Sequence, residues 1–225
     1  MTRRAAAPGR EIEDTLLAEG RRAVAGIDEV GRGAWAGPLV VGVVVAGSGD
    51  APAGVRDSKQ LSATARERLF PEVLAWCAGW AVGEATPGEC DDLGMAAAQR
   101  LAVRRAIDRL SDRPDAAIVD GSWDFVGDAV DRVEMRVGAD RLCASVAAAS
   151  IVAKVIRDRA MRDAAVDHPC WSFESNKGYP CAQHRAALAW CGPSVIHRQS
   201  WVFMDHYVPW SGVHRVVRPA QPSLF

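Results

Sequence analysis

From Leu39 to Ala46 the chain reads Leu-Val-Val-Gly-Val-Val-Val-Ala, almost pure valine. Valine at five of the eight positions, with no polar alternation, describes a central strand covered on both faces. A second apolar run, Val24-Ala25-Gly26-Ile27, lies just upstream. It is too short for a helix, ends in Asp28 and Glu29, and is followed at once by Gly31-Arg32-Gly33. Strand, turn and strand predict an antiparallel pair at the heart of a sheet.

The rest of the chain alternates helical and extended patterns. Ser62 is placed to cap a helix over 63–77, and 80–85 reads as a third strand. Residues 87–93 form a short acidic turn, and 94–110 an amphipathic helix whose arginines 100, 104, 105 and 109 line a solvated face. Ala116-Ala117-Ile118-Val119-Asp120-Gly121 repeats the opening theme, an apolar strand closing on an aspartate and a glycine. Residues 133–137 make a further strand, and Asp140 precedes a long helix over 143–166. Ala148, Ile151, Val152, Val155 and Ile156 of that helix fall at i, i+3, i+4, i+7 and i+8. On another stripe, Ser150, Lys154 and Asp158 recur every fourth residue. A helix over 182–190 and a tail rich in tryptophan, histidine and arginine complete the chain.

At 225 residues and 49% hydrophobic, one domain with a full core is expected. The reading divides the chain into a flexible N-terminal arm (1–22), a catalytic domain (23–192), an extension packed on it (193–220) and a terminal peptide (221–225). The net charge of −1 excludes a polycation that coats nucleic acid indiscriminately, so any such binding needs a local basic surface. No apolar run approaches the ~20 residues that span a bilayer, and the basic N-terminus lacks a signal peptide's apolar core. A soluble cytoplasmic monomer is expected. The six cysteines include no C-x-x-C pair and are read as buried, reduced thiols. Of 27 cationic residues only Lys59, Lys154 and Lys177 are lysines, which marks places where a compact ammonium is wanted in an arginine-rich chain.

Asp28, Glu29, Asp120 and Asp140 close separate elements, with no histidine or cysteine near them in sequence. Such carboxylates repel one another unless cations intervene, and oxygen-only donors select magnesium or manganese over zinc. Two such ions about 3.5–4 Å apart suit phosphodiester hydrolysis. Adjacent residues of a regular strand point to opposite faces, so Asp28 and Glu29 can share a metal only if the backbone turns before Gly31. An arginine between two glycines suits close approach to a phosphate or sugar edge. Ser58 and Lys59, just ahead of a helix, suggest a phosphate seat built on backbone N–H groups.

Taken together, Val24–Gly33, Asp57-Ser58-Lys59 with Leu61-Ser62, Val119-Asp120-Gly121, Ala147–Lys154 with Arg157-Asp158, and Lys177-Gly178-Tyr179-Pro180 with His184 resemble the ribonuclease HII family. The resemblance implies a ribonuclease H-like α/β fold, a mixed five-stranded sheet flanked by helices, with a small helical C-terminal extension. It implies endonucleolytic cutting of RNA in RNA–DNA hybrids and 5′ of single ribonucleotides in duplex DNA, leaving 3′-hydroxyl and 5′-phosphate ends. Asp28, Glu29, Asp120 and Asp140 would be catalytic ligands of Mg2+ or Mn2+. Gly31, Arg32 and Gly33 would inspect the 2′-hydroxyl from the minor groove, and Tyr179 would stack on the deoxyribose beyond the junction. Ser58, Lys59, Lys154 and Lys177 would hold phosphates. Gln221, Leu224 and Phe225 of the terminal Gln-Pro-Ser-Leu-Phe resemble a peptide that docks on the bacterial sliding clamp.

Two positions depart from the family pattern: Gln60 replaces a second lysine, and Gly138 a lysine ahead of Asp140. Asp158 competes with Asp140 for the fourth carboxylate. Rival readings are the sister ribonuclease HIII, which carries an extra N-terminal domain where only 23 residues precede Val24 here, a binding module without catalysis, and a histidine-based ribonuclease.

Overall fold

A computed structural model describes residues 7–209 and 212–217. Its sheet has five strands, β1 (Val24–Val30), β2 (Leu39–Val45), β3 (Gly79–Ala85), β4 (Ala116–Asp120) and β5 (Arg132–Arg136), in the order β3-β2-β1-β4-β5. β1 runs antiparallel to β2 and parallel to β4, and β4 is parallel to β5. The sheet is therefore mixed, and every residue of β2 is buried, as the valine run requires. The helices are α1 (Glu11–Ala18), α2 (Ala63–Trp76), α3 (Pro87–Leu93), α4 (Met95–Asp108), α5 (Ala144–Asp167), α6 (Phe173–Asn176), α7 (Ala182–Cys191) and α8 (Phe203–Tyr207). Ser62 caps α2 by accepting from Ala65 N at 3.2 Å. The acidic turn at 87–93 is a true helix, held by a capping box between Thr86 and Glu89. No described helix is long and apolar enough to cross a membrane.

The described residues fall into two compact units. The first takes residues up to 30, 40–84 and 99–156; the second takes 31–39, 85–98 and those from 157 on, so residues 193–209 group with 157–192.

The first unit holds the sheet. Val44, Leu69, Val73, Ile151, Val152 and Val155 form one core between β2, α2 and α5. Leu16, Val24, Ile118 and Val146 form a second, so α1, within the segment read as an arm, is docked. Glu13 is fully buried there and accepts from Ser145 N at 2.9 Å and Ser145 Oγ at 2.7 Å. Two strand glycines let α5 sit close. A Cβ on Gly26 would lie 2.1 Å from the Ser145 carbonyl carbon, and one on Gly42 would lie 2.6 Å from the Ala149 oxygen. Ala147, Ala148, Ala149 and Ala153 of α5 are fully buried and complete this close approach.

In the second unit, Leu188, Phe203, Met204 and Val208 form a core with Trp35, Trp171 and Tyr207 packed on it. Cys170 and Cys191 are joined in a disulfide with Cα atoms 6.8 Å apart, against the expectation of reduced thiols throughout; Cys77, Cys90, Cys143 and Cys181 form no disulfide. A sequence separation of 21 hides a pair that the packing of α7 on the Pro169–Trp171 turn brings together.

Candidate functional site

β1 delivers Asp28 at the end of a fully buried run. It is 6% exposed, and its Oδ1 accepts from Glu29 N at 2.8 Å. β1 and β4 are parallel neighbours, so both end on the same side of the sheet, β4 with Asp120. Asp120 Oδ1 accepts from Gly138 N at 2.8 Å and Ala139 N at 2.9 Å, which pins the turn that carries Asp140. Gly138 adopts φ 75°, a left-handed conformation that costs glycine little. That requirement accounts for glycine at a position where lysine was expected. The Ala139–Arg141 turn then presents Asp140, 5% exposed and 3.9 Å from Arg141 Nε.

The charges of these groups are coupled. Burial, then the nearby Glu29 and Asp120 carboxylates, push the Asp28 pKa well above the usual carboxylate range. Burial, then Asp57 and Asp120, raise Asp140 to about 6. Lys59 answers both: burial works against its charge, but Asp28, Asp57, Asp140 and Asp120 outweigh that and raise its pKa. Asp140 thus shares a field with Asp120, and the rival Asp158 acts on the neighbouring guanidinium of Arg157. Sequence alone does not single out Asp57 as a member of this group. It is 8% exposed, and its Oδ1 accepts from Lys59 N at 2.9 Å. An aspartate directly before a serine and one of only three lysines is the signal the sequence carries.

Two expectations about local geometry change. β1 keeps its pairing with β2 through Val30, with Asp28 opposite Gly42 and Glu29 opposite Val41. The turn of backbone thought necessary before Gly31 is therefore absent, and the pleat starts the two side chains on opposite faces. The second change concerns the phosphate seat. Ser58 N donates to Ser150 Oγ at 3.1 Å and Lys59 N to Asp57, so neither amide is presented outward. Any phosphate contact there falls to the exposed Lys59 ammonium, since Ser58 is buried.

Among the described residues, no three histidine, cysteine, aspartate or glutamate side chains stand close enough to hold an ion as placed. The donor chemistry nonetheless fits a hard divalent cation. The groups are all oxygen donors, carry excess negative charge, and include a buried Asp28 whose charged form is disfavoured by its neighbours.

The Gly31-Arg32-Gly33 segment belongs to the second unit together with Tyr179. Gly31 is buried at φ 90°, whereas Arg32 and Gly33 are exposed. Gly31 N donates to Tyr179 Oη at 3.0 Å. Tyr179 follows a turn in which Lys177 itself is left-handed, φ 54°, with its ammonium donating to Glu174 O. A buried chain of histidines supports the same turn. Ser194 N donates to His197 Nδ1 at 2.8 Å, so the His197 proton sits on Nε2. Nε2 is 2.9 Å from His184 Nε2, which leaves the His184 proton on Nδ1, donated to Tyr179 O at 2.9 Å. Lys154 stands one turn from Ser150 on α5, half-buried. Gln221, Leu224 and Phe225 lie outside the described residues.

Comparison with known proteins agrees with this architecture. The ribonuclease HII family model matches residues 25–204. A ribonuclease HII of Streptomyces avermitilis is 43% identical over 218 residues, covering 96% of this chain and 93% of its own length. The crystal structure of the ribonuclease H2 from Pyrococcus horikoshii superposes with a TM-score of 0.69 at 28% identity, over 83% of this chain and 97% of that one. A ribonuclease HII from Archaeoglobus fulgidus, solved in complex with PCNA, gives a TM-score of 0.65 at 30% identity, over 79% and 93%. With the valine-cored mixed sheet and its carboxylate-tipped strands, these matches establish that the chain belongs to the ribonuclease HII family and is a metal-dependent ribonuclease of the ribonuclease H-like fold.

Proposed function

We propose that the protein acts in the cytoplasm as an endonuclease on the RNA strand of RNA–DNA hybrids and 5′ of single ribonucleotides in duplex DNA. The products are 3′-hydroxyl and 5′-phosphate ends, and the work is ribonucleotide excision and primer removal. The observation that carries this reading is that parallel β1 and β4 end on the same side of the sheet with Asp28 and Asp120, and that Asp120 Oδ1 accepts from Gly138 N and Ala139 N of the turn presenting Asp140. The Lys59 ammonium interacts with Asp28, Asp57, Asp120 and Asp140, so carboxylates from separate elements share one field at one end of the sheet. Asp28, Glu29, Asp120 and Asp140 would hold two Mg2+ or Mn2+ ions. When bound, these supply an activated water and charge stabilisation for the leaving oxygen. Because the pleat separates Asp28 from Glu29, Glu29 must reach past the strand end to contribute.

The remaining residues bind and orient. Arg32 and Gly33, exposed beside a rigid Gly31, suit contact with the 2′-hydroxyl along the minor groove. Tyr179, held at both its hydroxyl and its carbonyl, offers a preset ring for the following deoxyribose. Lys59, Lys154 and Lys177 would serve the phosphates as point charges, while the buried Ser58 holds its turn against Ser150. The terminal Gln221-Pro222-Ser223-Leu224-Phe225 would dock on a sliding clamp, a reading supported by the Archaeoglobus fulgidus relative solved with PCNA.

The test is an end-labelled duplex with one embedded ribonucleotide, incubated with magnesium, manganese or EDTA. Cutting on the 5′ side that requires metal and disappears in Asp28→Asn is expected. Cutting in EDTA, or a 2′,3′-cyclic phosphate product, would remove the two-metal reading. For the terminal peptide, deletion of 221–225 should abolish clamp pull-down while leaving cleavage of a short duplex intact. Unchanged pull-down would reject it.

A further inference from the structure

We propose that Arg157 is a positioning residue for ribonucleotide recognition: its buried guanidinium ties the segment bearing Gly31-Arg32-Gly33 to the turn bearing Tyr179, so that the two form one preset reading surface. The inference rests on the reading of those residues as the sensor of a ribose-to-deoxyribose step.

Arg157 is fully buried. Its Nε donates to Pro38 O at 2.8 Å, Nη2 to Ala36 O at 3.0 Å, and Nη1 to Lys177 O at 2.9 Å. Two of these acceptors follow Gly31 in the chain, and the third lies two residues before Tyr179. The guanidinium carbon also stands 5.2 Å from the centre of the Tyr179 ring. Gly31 lets this happen, because a Cβ there would lie 2.3 Å from Arg157 Nε and 2.7 Å from Pro38 O. Gly178 does the same on the other side, where a Cβ would lie 2.3 Å from Ala36 O. Trp35 N and Ala36 N both donate to Gly178 O, at 2.8 and 3.2 Å.

The chemistry explains why an arginine stands here. Residues 31–38 lie outside the strands and helices apart from one isolated bridge between Ala36 and His197, so the carbonyls of Ala36 and Pro38 have no regular ladder to bond with. A planar fork with five N–H donors can serve several of them at once from one position, which an ammonium cannot. Burial opposes the charge and lowers the Arg157 pKa, with Tyr179 and Asp158 acting the other way. The segment to which it is committed is the one that carries the proposed sensor and not the carboxylate cluster. Loss of Arg157 should therefore damage discrimination before chemistry.

The experiment compares kcat/KM on a duplex with one ribonucleotide and on a continuous RNA–DNA hybrid, for wild type, Arg157→Met, Arg157→Lys, Tyr179→Ala and Arg157→Lys/Tyr179→Ala. Displacing the sensor should lower the preference for the single-ribonucleotide duplex by about tenfold in both Arg157 variants, within the loss expected of a small misplacement. Adding Arg157→Lys to Tyr179→Ala should change that preference by less than about twofold, because both act through one unit. Equal losses on the two substrates, or a multiplicative double variant, would overturn the proposal. A Tyr179→Ala enzyme with unchanged preference would instead sink the sensor reading itself. Should Arg157→Met not fold, Arg157→Lys carries the comparison, with a measurement that needs no folded Met variant. The Gly31 amide of wild type should exchange slowly with solvent and lose that protection in Arg157→Lys. An unprotected Gly31 amide in wild type would refute the tie.

Discussion

Acid should unfold this protein through two histidines that have no room for a second proton. Every nitrogen of the His184–His197 pair is engaged, in the order Ser194 N to His197 Nδ1, His197 Nε2 to His184 Nε2, and His184 Nδ1 to Tyr179 O. Protonating His197 at Nδ1 would set two N–H groups facing each other, and protonating His184 at Nε2 would do the same across the pair. Burial, then the neighbouring His184, lower His197 to about 3, and burial lowers His184. In the unfolded chain both return to about 6.5. Between those values the unfolded state binds more protons, so stability rises with pH and is lost as pH falls below about 6.5. At pH 5 the gap of about 1.5 units makes His197 alone cost about 2 kcal/mol. Asp140, raised to about 6, pushes the opposite way, because its folded form holds a proton that the unfolded form has released. The two must be separated by a variant. His197→Gln keeps a neutral amide donor near the Nε2 position and cannot titrate. Urea unfolding in EDTA, followed by tryptophan fluorescence, reports on this region, since Trp171 lies 5.6 Å from the His197 ring. The stability lost between pH 7.5 and pH 5 should be smaller in His197→Gln by about 2 kcal/mol. An identical loss in both proteins would refute the buried-pair argument.

Asp28→Asn should stabilise the metal-free protein in thermal melts while activity falls by at least the ~100-fold that loss of an outer-shell metal partner can cost. The carboxylate is held against burial and like charge, and the amide removes that opposition. An Asp28→Asn melt below wild type in EDTA would contradict it. Gly26→Ala should cost about 1–3 kcal/mol or more in urea unfolding, since its Cβ meets the main chain of α5 and not a movable side chain. A neutral result would mean that α5 can lift away. Gly33→Ala is the control. No atom lies within 4 Å of the added methyl, so stability should stay within about 0.5 kcal/mol, and any loss should appear in substrate binding.

Where sequence sufficed, the signal was a pattern that one physical cause explains. A valine-rich run without polar alternation marks burial on two faces, and an apolar run that stops at an acid marks a strand end, which is how β2, Asp28 and Asp120 are legible. The sequence failed where a residue's usual habit was overridden by a partner far along the chain. Arginine is this chain's ordinary surface cation, and nothing local distinguishes Arg157 or Arg198 from the rest, yet both are fully buried on main-chain carbonyls. Arg198 donates to Arg32 O and Gly37 O at 3.0 and 3.1 Å, acceptors more than 160 residues away. Glu13 is similar, an acid on a short polar helix that becomes buried because Ser145 supplies two donors. Asp57 was hidden by its neighbours, since Ser58 and Lys59 drew the reading toward a phosphate. Beyond Asp28 the backbone follows the β1–β2 ladder through Val30, so the turn that would let Asp28 and Glu29 share a metal is not supplied by the strand itself.

The glycine notches beneath α5 also govern how finely the site is indexed. A helix resting on bulky side chains can roll or slide by part of a turn as those side chains change rotamer. α5 rests its own main chain in the gaps at Gly26 and Gly42, as a keyed shaft rests in its slots. Rotation and translation are both blocked, so each residue keeps one height above the sheet. Ser150, whose hydroxyl receives the Ser58 amide, therefore sets the Asp57–Lys59 turn against strands β1 and β2 with little play. Calibration of that turn lies in two missing methyl groups, and a family member that fills either notch must reset the turn by other means.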